Sequence, residues 1–358
     1  MTGFELPIAA GLAAELVLAT LIVALTAYAV LGGADFGAGF WDLTAGGARR
    51  GARVRGMVKR SMGPVWEANH VWLIFVLVVF WTGFPAAFGP VMETLYLPLF
   101  LAAVGIIFRG AAFALRGEAA TIAEARALGA AFALSSVLVP FCFGAVIGAI
   151  ATGQVPAEGD PSVPFSSWTE PTSIFFGLLA VATGAYLAAV FLAADSVRAG
   201  LPDLVRGFRA RALGAAVVAG GLAIAGLFVV REDAPELYDG LSSGGGLAMV
   251  ICSVAAGVVT LGLVCTGRFS VARFTSAAAV GAIILGWGLA QRPDFLPGEL
   301  TLEQAAASND TLVPLLIAIA IAAAVLAPAL GLLFRLTLQG RLDQEFRPIT
   351  TGDREEAE

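Results

Sequence analysis

Nine stretches of this chain run for about 17 to 26 residues with hardly a polar interruption, the length an α-helix needs to cross about 30 Å of hydrocarbon. They fall at about 8–31, 66–88, 94–114, 127–152, 172–195, 212–230, 246–266, 274–290 and 311–334. No stretch alternates apolar and polar positions over about ten residues, as the strands of a membrane β-barrel do. The pattern predicts an all-α membrane protein with nine transmembrane helices. Residues 1–336 read as a single polytopic domain and 337–358 as a polar tail. The first stretch is expected to stay in the mature protein, because nothing basic precedes it and Glu5 and Glu15 are acidic.

Basic residues set the orientation. Arg49, Arg50, Arg53, Arg55, Lys59 and Arg60 follow the first span, and Arg116 and Arg126 follow the third. Arg198, Arg206, Arg209 and Arg211 follow the fifth, Arg268 and Arg273 the seventh, and four more arginines lie after the ninth. The opposite connections hold only Arg231 and Arg292. Cytoplasmic loops carry the excess of Lys and Arg, so the N-terminus is expected outside and the C-terminus in the cytoplasm. The outer connections 157–161, 231–240 and 292–299 are acidic and rich in Pro and Gly, which predicts irregular caps.

Composition agrees with this picture. Of 358 residues, 58% are hydrophobic and 13% charged, against about 25% charged in soluble domains. A soluble enzyme, a nucleic-acid binder and a disordered chain are excluded. The net charge of −6 says nothing further about partners. Cys142, Cys252 and Cys265 all lie in apolar runs and read as buried small hydrophobes.

Ionisable groups inside a membrane span are costly and are the first candidates for function. They concentrate in the first third of the chain. Asp35 lies in LGGADFGAGFWD (31–42), a glycine-rich turn closing span one. Glu67 and His70 open span two within GPVWEANHVW (63–72), and Arg109 lies toward the end of span three. Because the basic connection joins the first two spans, Asp35, Glu67, His70 and Arg109 are expected in one cytoplasmic layer. Structural roles compete with a functional one: Asp35 as a brace of the glycine-rich turn, Glu67 as the ion-pair partner of Arg109, His70 as a packing residue. Glu67 and His70 are one turn apart and share a helix face. With one histidine and no CxxCH, bis-histidine haem ligation within the chain is impossible. Gly105, Ala102 and Ala103 on span three are small enough to let a partner's helix approach.

GADFGAGF (33–40), the basic connection, GPVWEANHVWLI (63–74) and FRGAAFALR (108–116) resemble subunit II of the cytochrome bd-type quinol oxidases. The resemblance implies two four-helix bundles plus one peripheral helix in a bacterial cytoplasmic membrane. It implies a haem-free subunit, with haems b and d and the quinol-oxidising loop in partner subunit I, so this chain alone is not catalytic. It leaves room for small single-span subunits and for bound lipid or quinone. A scaffold role and a share in a cytoplasmic proton-uptake path are implied, with Glu67 at the acid of the family's W-D-G-N block. Asp35 and His70 join Glu67 as proton-transfer candidates, and Trp66, Asn69 and Arg109 as structural or interface residues. The chain departs from the family at Gly32 and Ala34, where an acid and a Phe are common, and at Ala114, where an acid is common. Two other readings remain beside it. One is a stand-alone ion-coupled transporter using Asp35, Glu67 and Arg109, and the other a pure scaffold.

Overall fold

The computed structural model describes residues 10–47, 49–62, 66–115, 121–339 and 341. In chain order the helices are α1 (Ala10–Leu43), α2 (Ala52–Met62), α3 (Trp66–Gly83), α4 (Pro85–Thr94) and α5 (Tyr96–Leu115). Then come α6 (Ile122–Ala151), α7 (Ser166–Thr169), α8 (Pro171–Arg198), α9 (Pro202–Asp233) and α10 (Pro235–Leu241). Next are α11 (Gly244–Cys265) and α12 (Phe269–Ala290), then strands β1 (Asp294–Leu296) and β2 (Leu300–Thr301), and last α13 (Leu302–Ala305) and α14 (Asn309–Leu338). The nine expected spans correspond to α1, α3, α5, α6, α8, α9, α11, α12 and α14. Eight of these are each long and apolar enough to cross a membrane; α3 passes only together with α4, bent from it by 120°. The tail after Arg341 lies outside the described residues.

The structure differs from the sequence reading in five places, each with a local cause. The expected span 66–88 breaks at Phe84, whose backbone leaves the helical region before Pro85. Proline has no N–H to continue the ladder and pushes the preceding residue away from helical geometry. The Gly83 carbonyl freed by the break accepts the Ala307 N–H at 2.8 Å, and the Phe84 ring packs 4.7 Å from Phe295. The 231–240 cap is helical, α10 starting at Pro235 directly after α9. The 292–299 cap holds the short antiparallel pair β1 and β2, a small departure from an all-α chain. The basic connection contains α2, an amphipathic helix burying Val54, Met57, Val58 and Met62 while it packs on α1 and α8.

The fifth difference matters most. The glycine-rich segment is not a turn: α1 runs through it without interruption to Leu43. Its glycines serve close helix crossing instead. A Cβ on Gly37 would overlap the Gly184 carbonyl of α8, and one on Gly184 would stand 2.8 Å from the Gly33 carbonyl oxygen. Trp41 Nε1 ties the same crossing by donating to the Ala185 carbonyl at 2.8 Å. Small residues permit such backbone approach between membrane helices. Gly37→Ala is therefore expected to lower the yield of folded protein, with an overpacking cost of about 1–3 kcal/mol. Gly257→Ala, where open space surrounds the added methyl group, is expected to leave the yield unchanged. Size-exclusion profiles of the detergent-solubilised variants compare the two.

Central helices α1, α6 and α8 pack on one another, α5 lies on α6, α9 on α8, and α11 on α12. Helix α14 rests mainly on α1 and α3, and its most apolar segment has no residue buried within the chain. Ala102 and Gly105, read as openings for a partner, are buried against the chain itself. Gly105 faces Val139 of α6, where a Cβ would come within 2.6 Å. Cys142 is buried, but Cys252 and Cys265 are exposed on the outer face of α11. A helix covered on one side only turns such small apolar residues outward.

Candidate functional site

Arg109 of α5 reaches across to α1 and is 2% exposed. Its Nη1 donates to Asp35 Oδ2 at 2.7 Å and its Nη2 to Asp35 Oδ1 at 3.0 Å, a two-pronged grip on one carboxylate. Nη2 also donates to the Asp35 carbonyl at 2.8 Å, and Nε donates to Ser136 Oγ of α6 at 3.0 Å. The guanidinium lies between two rings, 4.9 Å from the Phe36 centroid and 4.6 Å from that of Phe132. A planar, permanently charged fork suits this geometry, and a lysine ammonium would not reproduce it.

The surrounding glycines explain how Ser136 comes within reach. A Cβ on Gly39 would overlap the Ser136 side chain, so glycine there lets α6 close onto α1. Ser136 Oγ then donates to its own helix at Phe132 O, 2.6 Å away, and keeps a lone pair for Arg109. Asp35, 1% exposed, thus has both carboxylate oxygens engaged. It is a fixed charge held between three helices, not a brace of a turn.

His70 faces this pair from α3. Its Nε2 is 3.9 Å from Asp35 Oδ2, beyond a hydrogen bond, and aromatic rings wall it on several sides. Phe36 is 5.8 Å away centroid to centroid, and Tyr28 and Trp66 are each 6.3 Å away. Trp66 also leans on Phe113 of α5 at 5.4 Å. Asn69 is buried with its side-chain oxygen unpartnered. Glu67 belongs to the first turn of α3, one turn before His70; its side chain lies outside the described ones. Asp35, His70 and Arg109 therefore meet as the sequence predicts, with Trp66 and Asn69 beside them. Arg109 takes Asp35 as its carboxylate. Among the described residues no group of three or more His, Cys, Asp or Glu forms a metal site.

The chain matches the model of cytochrome bd terminal oxidase subunit II over residues 13–337. It belongs to that family. A Bacillus subtilis (strain 168) protein named cytochrome bd ubiquinol oxidase subunit 2 is 26% identical over 133 residues, which are 37% of this chain and 38% of that relative's own length. A structure of bd oxidase from Geobacillus thermodenitrificans shares the fold, with a TM-score of 0.69 at 24% identity. The match covers 91% of this chain and 98% of the matched chain.

The subunit II chain has a second pair that the sequence reading missed. Arg273 of α12 donates to Asp195 Oδ1 of α8 and, at 3.1 Å, to the Phe191 carbonyl. Arg198 lies 3.7 Å from the same Asp195 carboxylate and donates to the Thr337 carbonyl of α14 at 2.9 Å. The sequence pattern places both arginines in basic connections and Asp195 at the end of a span. The available signal was the Ala-Asp dipeptide closing α8, 194–195, which echoes 34–35 in α1.

Proposed function

We propose that this chain is the haem-free subunit of a quinol-oxidising, oxygen-reducing complex in a bacterial cytoplasmic membrane, docked on a haem-bearing subunit I. The family match across residues 13–337 carries the proposal. In this reading the N-terminus is outside and the C-terminus cytoplasmic, as the distribution of Lys and Arg favours. Residues 1–336 are one membrane domain, and 337–358 a cytoplasmic tail. Helices α1, α3, α5 and α6 make one four-helix group, α8, α9, α11 and α12 the other, and α14 is peripheral. The limited packing of α14 on α1 and α3 supports its peripheral place. Haems b and d belong to the partner, which oxidises quinol. This chain braces the partner and brings protons inward from the cytoplasmic side.

The grip of Arg109 on Asp35 divides the roles. With both its oxygens engaged by one guanidinium, Asp35 is held in place and serves to fix the position of α1 against α5. Glu67 and His70 are left to hold and pass protons. Family membership displaces the stand-alone transporter reading.

Expressed alone, the chain is expected to show no haem absorption and to restore no oxygen uptake to membranes lacking the oxidase. Co-expression with subunit I is expected to restore both. Haem bands from the purified single chain would overturn the division of labour.

A further inference from the structure

Four buried polar atoms on α1 and α3 beside the Asp35–Arg109 pair have no hydrogen-bond partner: Tyr28 Oη, Asn69 Oδ1, His70 Nδ1 and Trp72 Nε1. Tyr28 is 6% exposed and Asn69 3%. Tyr28 stands two turns before Asp35 on α1, about 10 Å further along the helix axis from its basic end. Its ring is 6.3 Å from that of His70 and 5.9 Å edge-on from Phe143. Trp72 packs with Tyr28 in one cluster containing Phe36, Val139 and Cys142. Gly32 makes the room, since a Cβ there would come 3.0 Å from the Tyr28 ring.

Each buried polar atom left unpaired costs about 1–3 kcal/mol. Four on two neighbouring helices are a heavy charge on a marginally stable fold, and bound water is the usual remedy. The chemistry of the four is complementary toward water. Trp72 Nε1 only donates, Asn69 Oδ1 only accepts, Tyr28 Oη does both, and His70 Nδ1 does either according to tautomer.

We propose that Tyr28, Asn69, His70 and Trp72 bind a small cluster of water between α1 and α3, and that the Tyr28 hydroxyl hands protons inward from it, past the fixed Asp35–Arg109 pair. The inference rests on the proton-uptake reading above and adds Tyr28 to it. The transfer balances without any redox partner. Tyr28 releases its hydroxyl proton to a water molecule on the side toward the partner's oxygen-reducing site and takes one from the water behind it, so the net change is one proton moved and the hydroxyl group is restored. Asn69 and Trp72 hold that water in place and are positioning residues.

The test uses the assembled oxidase with both subunits. Tyr28→Phe keeps the ring and its packing and removes only the hydroxyl group. Oxygen consumption per haem is expected to fall on the order of tenfold, with a larger solvent deuterium isotope effect and unchanged haem content. Trp72→Phe is expected to give a smaller decrease of the same kind. A high-resolution map of the wild-type complex is expected to show water within hydrogen-bond reach of Tyr28 Oη and His70 Nδ1, a readout independent of any variant. Wild-type turnover in Tyr28→Phe, or a map with protein atoms filling that space, would overturn the inference. If Glu67→Gln is slow while Tyr28→Phe is not, this inference fails and the uptake reading stands; if both turn over normally, both fail.

Discussion

Leucine at position 109 is expected to remove most of the assembled oxidase from the membrane. Arg109 is buried and spends three hydrogen bonds on Asp35 and one on Ser136, so its loss leaves a carboxylate buried with no counter-charge. Breaking a buried pair from one side costs about 3–5 kcal/mol, a large part of the roughly 5–15 kcal/mol that holds a typical domain together. Arg109→Lys keeps the charge but loses the two-pronged grip, and an intermediate yield is expected. Asp35→Asn combined with Arg109→Leu is expected to harm less than the sum of the single changes, because the second removes the charge the first strands. Complex quantified on native gels and by haem content per membrane protein reads all four variants. A normal yield from Arg109→Leu would place that side chain at the lipid surface instead.

Glu67→Gln is expected to slow oxygen consumption per haem on the order of tenfold while leaving haem content near wild type. Protons consumed in oxygen reduction must cross to a buried site, and Asp35 is tied to Arg109 by both oxygens. In the proposed function the acid opening α3 is the carboxyl group assigned to the task. Glutamine has nearly the same shape but cannot release a proton. Glu67→Asp is expected to retain most of the activity, since aspartate stands at this position in the family block that the sequence resembles. Equal turnover per haem in Glu67→Gln and wild type would reduce Glu67 to a structural residue.

Span positions were legible because continuous apolar runs leave one option for a backbone in lipid, and every expected span has a helix at its place. The meeting of Asp35, His70 and Arg109 was legible for a related reason: two spans joined by a short basic connection must bring their adjoining ends together. Which acid Arg109 takes was not legible, because it depends on how α5 is rotated against α1 and on Gly39 admitting Ser136. The glycines of 32–39 admit both a turn and a close helix crossing, because the same residue type serves each, and only the neighbour at Gly184 distinguishes them. The α3–α4 bend carried a signal in Pro85 that the apolar run masked. Tyr28 carried none, since an aromatic residue in a span ordinarily means packing.

The two buried ion pairs join residues that are distant in the order of synthesis. Asp35 precedes Arg109 by 74 residues, and Asp195 precedes Arg273 by 78. While the chain is being made, each acid must enter the bilayer long before its arginine leaves the ribosome. A lone carboxylate near the centre of a span costs about 2.5–3.5 kcal/mol on insertion scales, an expense that the 34-residue apolar α1 is long enough to carry. Helix α1 therefore enters without its arginine, and α5 supplies the lock when it arrives. Asp195 of α8 differs, since Arg198 on its own helix lies 3.7 Å away before Arg273 of α12 joins it. A nascent chain cut short between α3 and α5 therefore presents Asp35 without its arginine, a difference from the finished fold that membrane quality control can read.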